Sequence, residues 1–208
     1  MFLLKKASLL LTTFALILSF FIPNLASAKS FPDVQTNHWA YKEINYLTER
    51  GIINGTPEGY FKPSDNVTRG QMAVMLDKAL DLKMPYNYKD TYQDIPADAY
   101  YYDAAHKLMH YGYIANSFNF AGERELTRAE MAVALVKAFN LKSTGAHIRF
   151  KDVPLTHWAY DYVKILAQNN ITVGFPDGSF APTAKVTREQ FAAFLARLQE
   201  PNFRPVRN

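Results

Sequence analysis

From residue 31 onward, apolar residues recur at three- and four-residue spacing in short stretches that stop at glycine or asparagine, the pattern of amphipathic helices rather than strands. Asn37 can cap a first helix carrying Trp39, Ala40, Ile44 and Leu47, with Gly51 as its left-handed terminus. The pattern returns with Ala159, Val163 and Leu166, and Asn170 stands at the terminal position. After the first helix comes Asn54-Gly55-Thr56-Pro57-Glu58-Gly59, closed by Tyr60-Phe61-Lys62-Pro63, whose glycines and prolines mark tight turns. A second helix opens at Thr68, and again at Thr127 and Thr187, running to Leu82, Leu141 and Leu198. The spacing predicts six principal helices, a mainly α chain with little sheet.

These elements are copies of one unit. A shift of 119 residues carries Phe31-Pro-Asp33-Val34 onto Phe150-Lys-Asp152-Val153, His38-Trp-Ala-Tyr41 onto His157-Trp-Ala-Tyr160, and Val67-Thr-Arg69 onto Val186-Thr-Arg188, without a gap. A shift of 61 brings in a middle copy: Asp94-Ile95, Tyr100 in place of Trp39, Leu108 and Gly112, followed by a loop two residues shorter. A recurrence near 60 residues signals an array whose units bury their apolar faces against one another. The boundaries read 29–84, 85–144 and 145–200, each a helix-loop-helix unit, with 201–208 as a tail.

Residues 1–28 read as a secretory signal peptide: Lys5 and Lys6, an uncharged run from Ala7 to Ile22, Pro23, and the cleavage triplet Ala26-Ser-Ala28. The expected mature chain starts at Lys29, outside the cytoplasmic membrane and with no stable membrane span. That changes the meaning of the charge. The 208 residues sum to +4, but Lys29–Glu200 holds 19 basic and 19 acidic residues, so the basicity belongs to the two ends. A broad positive field for nucleic acid is not expected. With 49% hydrophobic residues a wholly disordered chain is excluded, and with no cysteine so are disulfides, thiolate metal sites and cysteine nucleophiles.

Candidate chemistry sits where the copies agree. Thr68-Arg-Gly-Gln71, Thr127-Arg-Ala-Glu130 and Thr187-Arg-Glu-Gln190 are capping boxes, which account for Thr and for Glu or Gln but not for Arg. A cation in the first turn opposes the helix dipole. Arg69, Arg128 and Arg188 therefore admit two readings: an anion site beside free helix-start amides, or ion pairs with Asp33, Asp94 and Asp152. Trp39 and Trp158 are ordinarily core residues by size, while an indole at a groove also offers a face to a sugar ring. Gly55 and Gly174 would let a ligand approach the backbone, and Gly70 would bare the helix-start amides. Ring, backbone and Arg together describe a pocket for an acidic sugar.

In this combination the chain resembles the S-layer homology family. The residues that carry the likeness are Phe-x-Asp-Val, Trp-Ala, Gly-x-x-x-Gly-x-Phe-x-Pro and Thr-Arg-x-[Glu/Gln], in triplicate from Phe31 to Glu200. The resemblance implies a pseudo-threefold, three-pronged arrangement around a central helix bundle. It also implies grooves that bind secondary cell wall polysaccharide through pyruvylated N-acetylmannosamine, at the cell wall or S-layer of a bacterium. The family's ligand-binding positions fall on Trp39, Gly55, Arg69, Arg128, Trp158, Gly174 and Arg188. Copy two departs from the pattern, with Tyr100 for Trp, Asn116-Ser117 for the loop glycine and Gly122 for proline, so a groove on its loop is expected to be weaker.

No cofactor or metal site is expected, and no Gly-x-Ser-x-Gly, His-Glu-x-x-His or phosphate loop occurs. His106 and His110 lie four apart on a helix and read as surface residues. The expectation is a non-catalytic anchor of polysaccharide, with other cell-surface proteins as further partners. A structural or self-assembling surface component and a wall hydrolase are the alternatives, and the short tail leaves the anchor without visible cargo.

Overall fold

The computed structural model describes residues 31–84, 92–115 and 118–206. The signal segment, and Asn116 and Ser117 of the copy-two loop, lie outside the described residues. Six α-helices follow one another: α1 (Tyr41–Glu49), α2 (Arg69–Leu80), α3 (Tyr102–His110), α4 (Arg128–Ala138), α5 (Tyr160–Gln168) and α6 (Arg188–Gln199), then a 3-10 turn, Pro201–Phe203. Extended pairing among the described residues is confined to isolated bridges. No described helix is long and apolar enough to cross a membrane.

All three capping boxes form: Thr68, Thr127 and Thr187 each accept from the amide three residues on, and Gln71, Glu130 and Gln190 reach back to the cap amide. Gly51 and Asn170 adopt the left-handed conformation foreseen for them. The first helix starts later than Asn37, because residues 31–40 form successive tight turns (His38 N–H to the Gln35 carbonyl, Tyr41 N–H to the His38 carbonyl). Trp39 therefore precedes α1 rather than lying within it. The second helices of copies one and two also stop short of Leu82 and Leu141. Asp81 and Asn140 turn left-handed, and the amides of the two leucines bond back to Asp77 and Val136.

The packing unit is not the sequence repeat. The principal helix pairs are α2 with α3, α4 with α5, and α6 with α1, so each second helix packs on the first helix of the next copy and the last returns to the first. Backbone bonds trace the same circuit. The Leu126 amide donates to Val67, Val67 to Val186, and Val186 to Leu126, at 2.8–3.0 Å. These three residues are buried, and Phe61, Phe120 and Phe180 are fully enclosed around them in one continuous core.

Each of those phenylalanines is gripped from both sides of its backbone. Asp33, Asp94 and Asp152 accept from the amides of Phe61, Phe120 and Phe180 with one oxygen and from the following residue with the other, at 2.6–2.9 Å. The following residues, Lys62, Ala121 and Ala181, hold φ of 54–58°, a conformation that L side chains resist and the carboxylates help to fix. The three phenylalanine carbonyls accept from the Nε of Arg188, Arg69 and Arg128, each at 2.7 Å and each from another copy.

Copy two departs from the pattern through a volume exchange. Tyr101 occupies the position of Ala40 and Ala159 and is buried. A Cβ on Gly70 would stand 2.5 Å from its ring, and one on Gly122 2.3 Å. The ring thus fills space that both glycines vacate.

Candidate functional site

The motif arginines neither sit beside free amides nor pair with the repeated aspartates. The first two amides of α2 donate to Arg124 and Gly122, those of α4 to Ala184 and Pro182, and those of α6 to Asp65 and Pro63; the third amide is taken by the capping threonine. Gly70, packed under Tyr101, does not bare amides either. Among the described residues no carboxylate of Asp33, Asp94 or Asp152 lies within ion-pair distance of these arginines. Arg and Asp meet through the phenylalanine peptide between them. What an arginine can offer a ligand is therefore its Nη edge, and the three copies differ there.

Arg188 is fixed through two of its nitrogens. Its Nε holds Phe61, one Nη donates to the Asn54 carbonyl at 2.9 Å, and the guanidinium lies over the Phe61 ring. It borders a polar cavity of about 340 Å³ with Asn54, Gly55, Thr56, Lys62, Asp65 and Gln71, and a smaller adjoining one with Met75, Lys78 and Tyr100. Burial lowers the arginine's pKa from its usual value, opposed by the charges of Asp65 and Asp33.

Arg69 borders a different kind of groove. Its cavity, about 170 Å³, is walled by Met72, Tyr113, Ile114, Ala115, Leu126, Val133, Ala134 and Trp158. At the polar end Arg69 pairs with Glu130, Nη1 to Oε1 at 3.2 Å. Glu130 also accepts from both Nη of Arg124 and from the amide and hydroxyl of Thr127. Burial pushes this carboxyl up, but the bonds from Arg124 and Thr127 and the charge of Arg69 outweigh it and hold the group at about 2.

Arg128 is closed off. It is 4% exposed, with its guanidinium 4.7–5.5 Å from the Phe175, Phe180 and Phe194 rings. Burial pushes it down to about 10, so it stays charged at neutral pH. Phe194 stands where copy one has Met75 and copy two Ala134, and this larger ring fills the equivalent groove.

The aromatic positions are surface positions. Trp39 is 54% exposed, Trp158 62% and Tyr100 62%, which excludes the core reading of the tryptophans. Trp158 shares its groove with Arg69, and Tyr100 shares one with Arg188. His38, next to Trp39, pairs with Glu189 at 3.1 Å and ties the turn before α1 to α6. Gly55 lines the Arg188 cavity, but its missing Cβ is demanded by packing: the Phe31 ring lies 2.5 Å from where it would stand, as Phe150 lies 2.4 Å from that of Gly174. His106 is wholly buried, Nδ1 2.7 Å from the Tyr102 carbonyl, rather than a surface residue. Sequence reasoning passed over Glu130 and Phe194 as site residues. The departures from Gln71 and Gln190, and from Met75 and Ala134, were the available signals.

The family model described as S-layer homology domain matches residues 30–73 and 149–192, leaving the stretch between them unmatched. S-layer protein EA1 of Bacillus anthracis is 33% identical over 190 residues, 88% of this chain and 22% of that protein. S-layer protein sap of the same organism is 32% identical over 191 residues, 89% of this chain and 23% of that protein. A cell wall amidase of Bacillus anthracis is 32% identical over 177 residues, 83% of this chain and 32% of that protein. The chain thus spans a fifth to a third of the length of these relatives.

Proposed function

Because the chain belongs to the S-layer homology family, we propose that it anchors by seating an acidic sugar of the secondary cell wall polysaccharide, such as pyruvylated N-acetylmannosamine, in the Arg188 groove. Its place is the cell wall or S-layer, as a surface module. The observation that carries the reading is the guanidinium of Arg188, which borders a polar cavity without a carboxylate in ion-pair contact among the described residues. A ketal carboxylate would meet its Nη edge, with Lys62 and Lys78 adding positive charge to walls that also carry Asp65. Tyr100 supplies an exposed ring for the apolar face of the sugar, and the Gln71 amide adds a neutral donor. In this reading Arg128 serves the fold, and Arg69 holds copies one and two together.

Calorimetric titration with methyl N-acetylmannosaminide bearing the pyruvate ketal tests this. Arg188→Ala is expected to lose at least tenfold in affinity, the usual worth of a charge-assisted contact of about 1.5–3 kcal/mol. Unchanged affinity in a folded Arg188→Ala protein overturns the assignment.

A further inference from the structure

We propose that Glu130 is a specificity determinant: it closes the Arg69 groove to carboxylates and leaves there a subsite for an electroneutral sugar, stacked on Trp158. This rests on the reading that the grooves bind glycan, and it divides their labour.

The contrast comes from one position on equivalent helices. Gln71 stands beside Arg188 in a polar cavity, while Glu130 stands beside Arg69 in an apolar one. A ligand carboxylate arriving at Arg69 would meet a guanidinium already bonded through Nη1 to Glu130 Oε1, with that fixed negative charge beside the docking point. Glu130 cannot swing aside cheaply. Both of its oxygens are saturated, by Arg69, by Arg124 and by the Thr127 amide and hydroxyl, and moving it would break the cap of α4. Protonation does not release it near neutral pH. Arg69, Arg124 and Glu130 together carry one net positive charge, but Arg124 is outside the cavity lining and committed to Glu130 through both Nη atoms.

The remaining walls suit an uncharged ring. Trp158 is 62% exposed and lines the groove together with Met72, Ile114 and Val133. A hexosamine carrying an acetamido methyl would bury apolar surface there without desolvating a charge.

The test follows the indole Nε1–H of Trp158 by NMR in the purified protein, assigned against Trp39→Phe, during titration with methyl N-acetylmannosaminide and separately with its pyruvate ketal. The neutral glycoside is expected to move the Trp158 signal, with the ketal at least tenfold weaker at that site. Glu130→Gln should reverse the order, raising ketal affinity at Trp158 at least tenfold. The variant retains a capping box, as Gln71 and Gln190 show. Tighter ketal than neutral binding at Trp158 in the unaltered protein, no titration of Trp158 by either glycoside, or an unchanged order in Glu130→Gln overturns the proposal. The Gly55 amide, read in the same spectra, reports the Arg188 groove. Failure of the ketal to move it would count against the Arg188 assignment alone.

Discussion

Gly70→Ala would normally stabilise a helix, since alanine exceeds glycine by about 1 kcal/mol in an interior position. Here it is expected to do the opposite. The new Cβ would lie 2.5, 2.8 and 3.0 Å from three atoms of the Tyr101 ring, where apolar carbons ordinarily rest near 3.5–4.0 Å. The ring has to retreat by about 1 Å, yet Gly122 and Phe120 flank it and the site is buried. Overpacking of this kind costs about 1–3 kcal/mol, so after the propensity gain the net loss is up to about 2 kcal/mol. That is a fall of up to about 8 °C in Tm for a domain of this size. The assay is a double-mutant cycle with Tyr101→Ala by denaturant unfolding. In the Tyr101→Ala background, Gly70→Ala should become stabilising by about 0.5–1 kcal/mol, leaving a coupling of about 2 kcal/mol. Stabilisation by Gly70→Ala in the unaltered protein, or the same effect in both backgrounds, refutes the volume exchange.

Other consequences follow from the same contacts. Asp152→Ala strips acceptors from the Phe180 and Ala181 amides and should destabilise by about 2–3 kcal/mol in urea unfolding, with no change in m. Glu130 is held at about 2 against an ordinary 4.5, so its contribution is present above pH 4.5 and lost as pH falls toward 2. Because the group is only partly buried, the pKa difference discounts to about 1–2 kcal/mol. Glu130→Gln should flatten that limb of the stability profile, and an unaltered acid limb contradicts the assignment. Arg128→Ala, by emptying a buried site among three rings, should lower Tm by several degrees.

Local chemistry was the legible part of the fold. Thr68, Thr127 and Thr187 are read as caps because a capping box is a four-residue affair, and Gly51 and Asn170 as termini because left-handed backbone selects them. The circuit of contacts was not legible. Nothing in the repeat tells α2 to pack on α3 of the next copy, since either partner buries the same apolar stripe. Neither reading of the arginines, free helix-start amides or pairing with the repeated aspartates, matches what holds them. Their demand comes from a phenylalanine carbonyl 51 to 127 residues away, a distance that spacing along the chain does not encode. Likewise Gly122 looks like a lost proline until Tyr101 is seen above it.

Anchoring through the Arg188 groove is tested most directly by co-sedimentation with purified cell walls, before and after chemical removal of pyruvate ketals, using the unaltered protein and Gln71→Glu. That substitution gives copy one the capping box of copy two and sets a carboxylate beside Arg188. Binding is expected to fall at least tenfold on ketal-free walls and, to a similar extent, for folded Gln71→Glu on native walls. Undiminished binding in either case rules out a pyruvate ketal seated at Arg188.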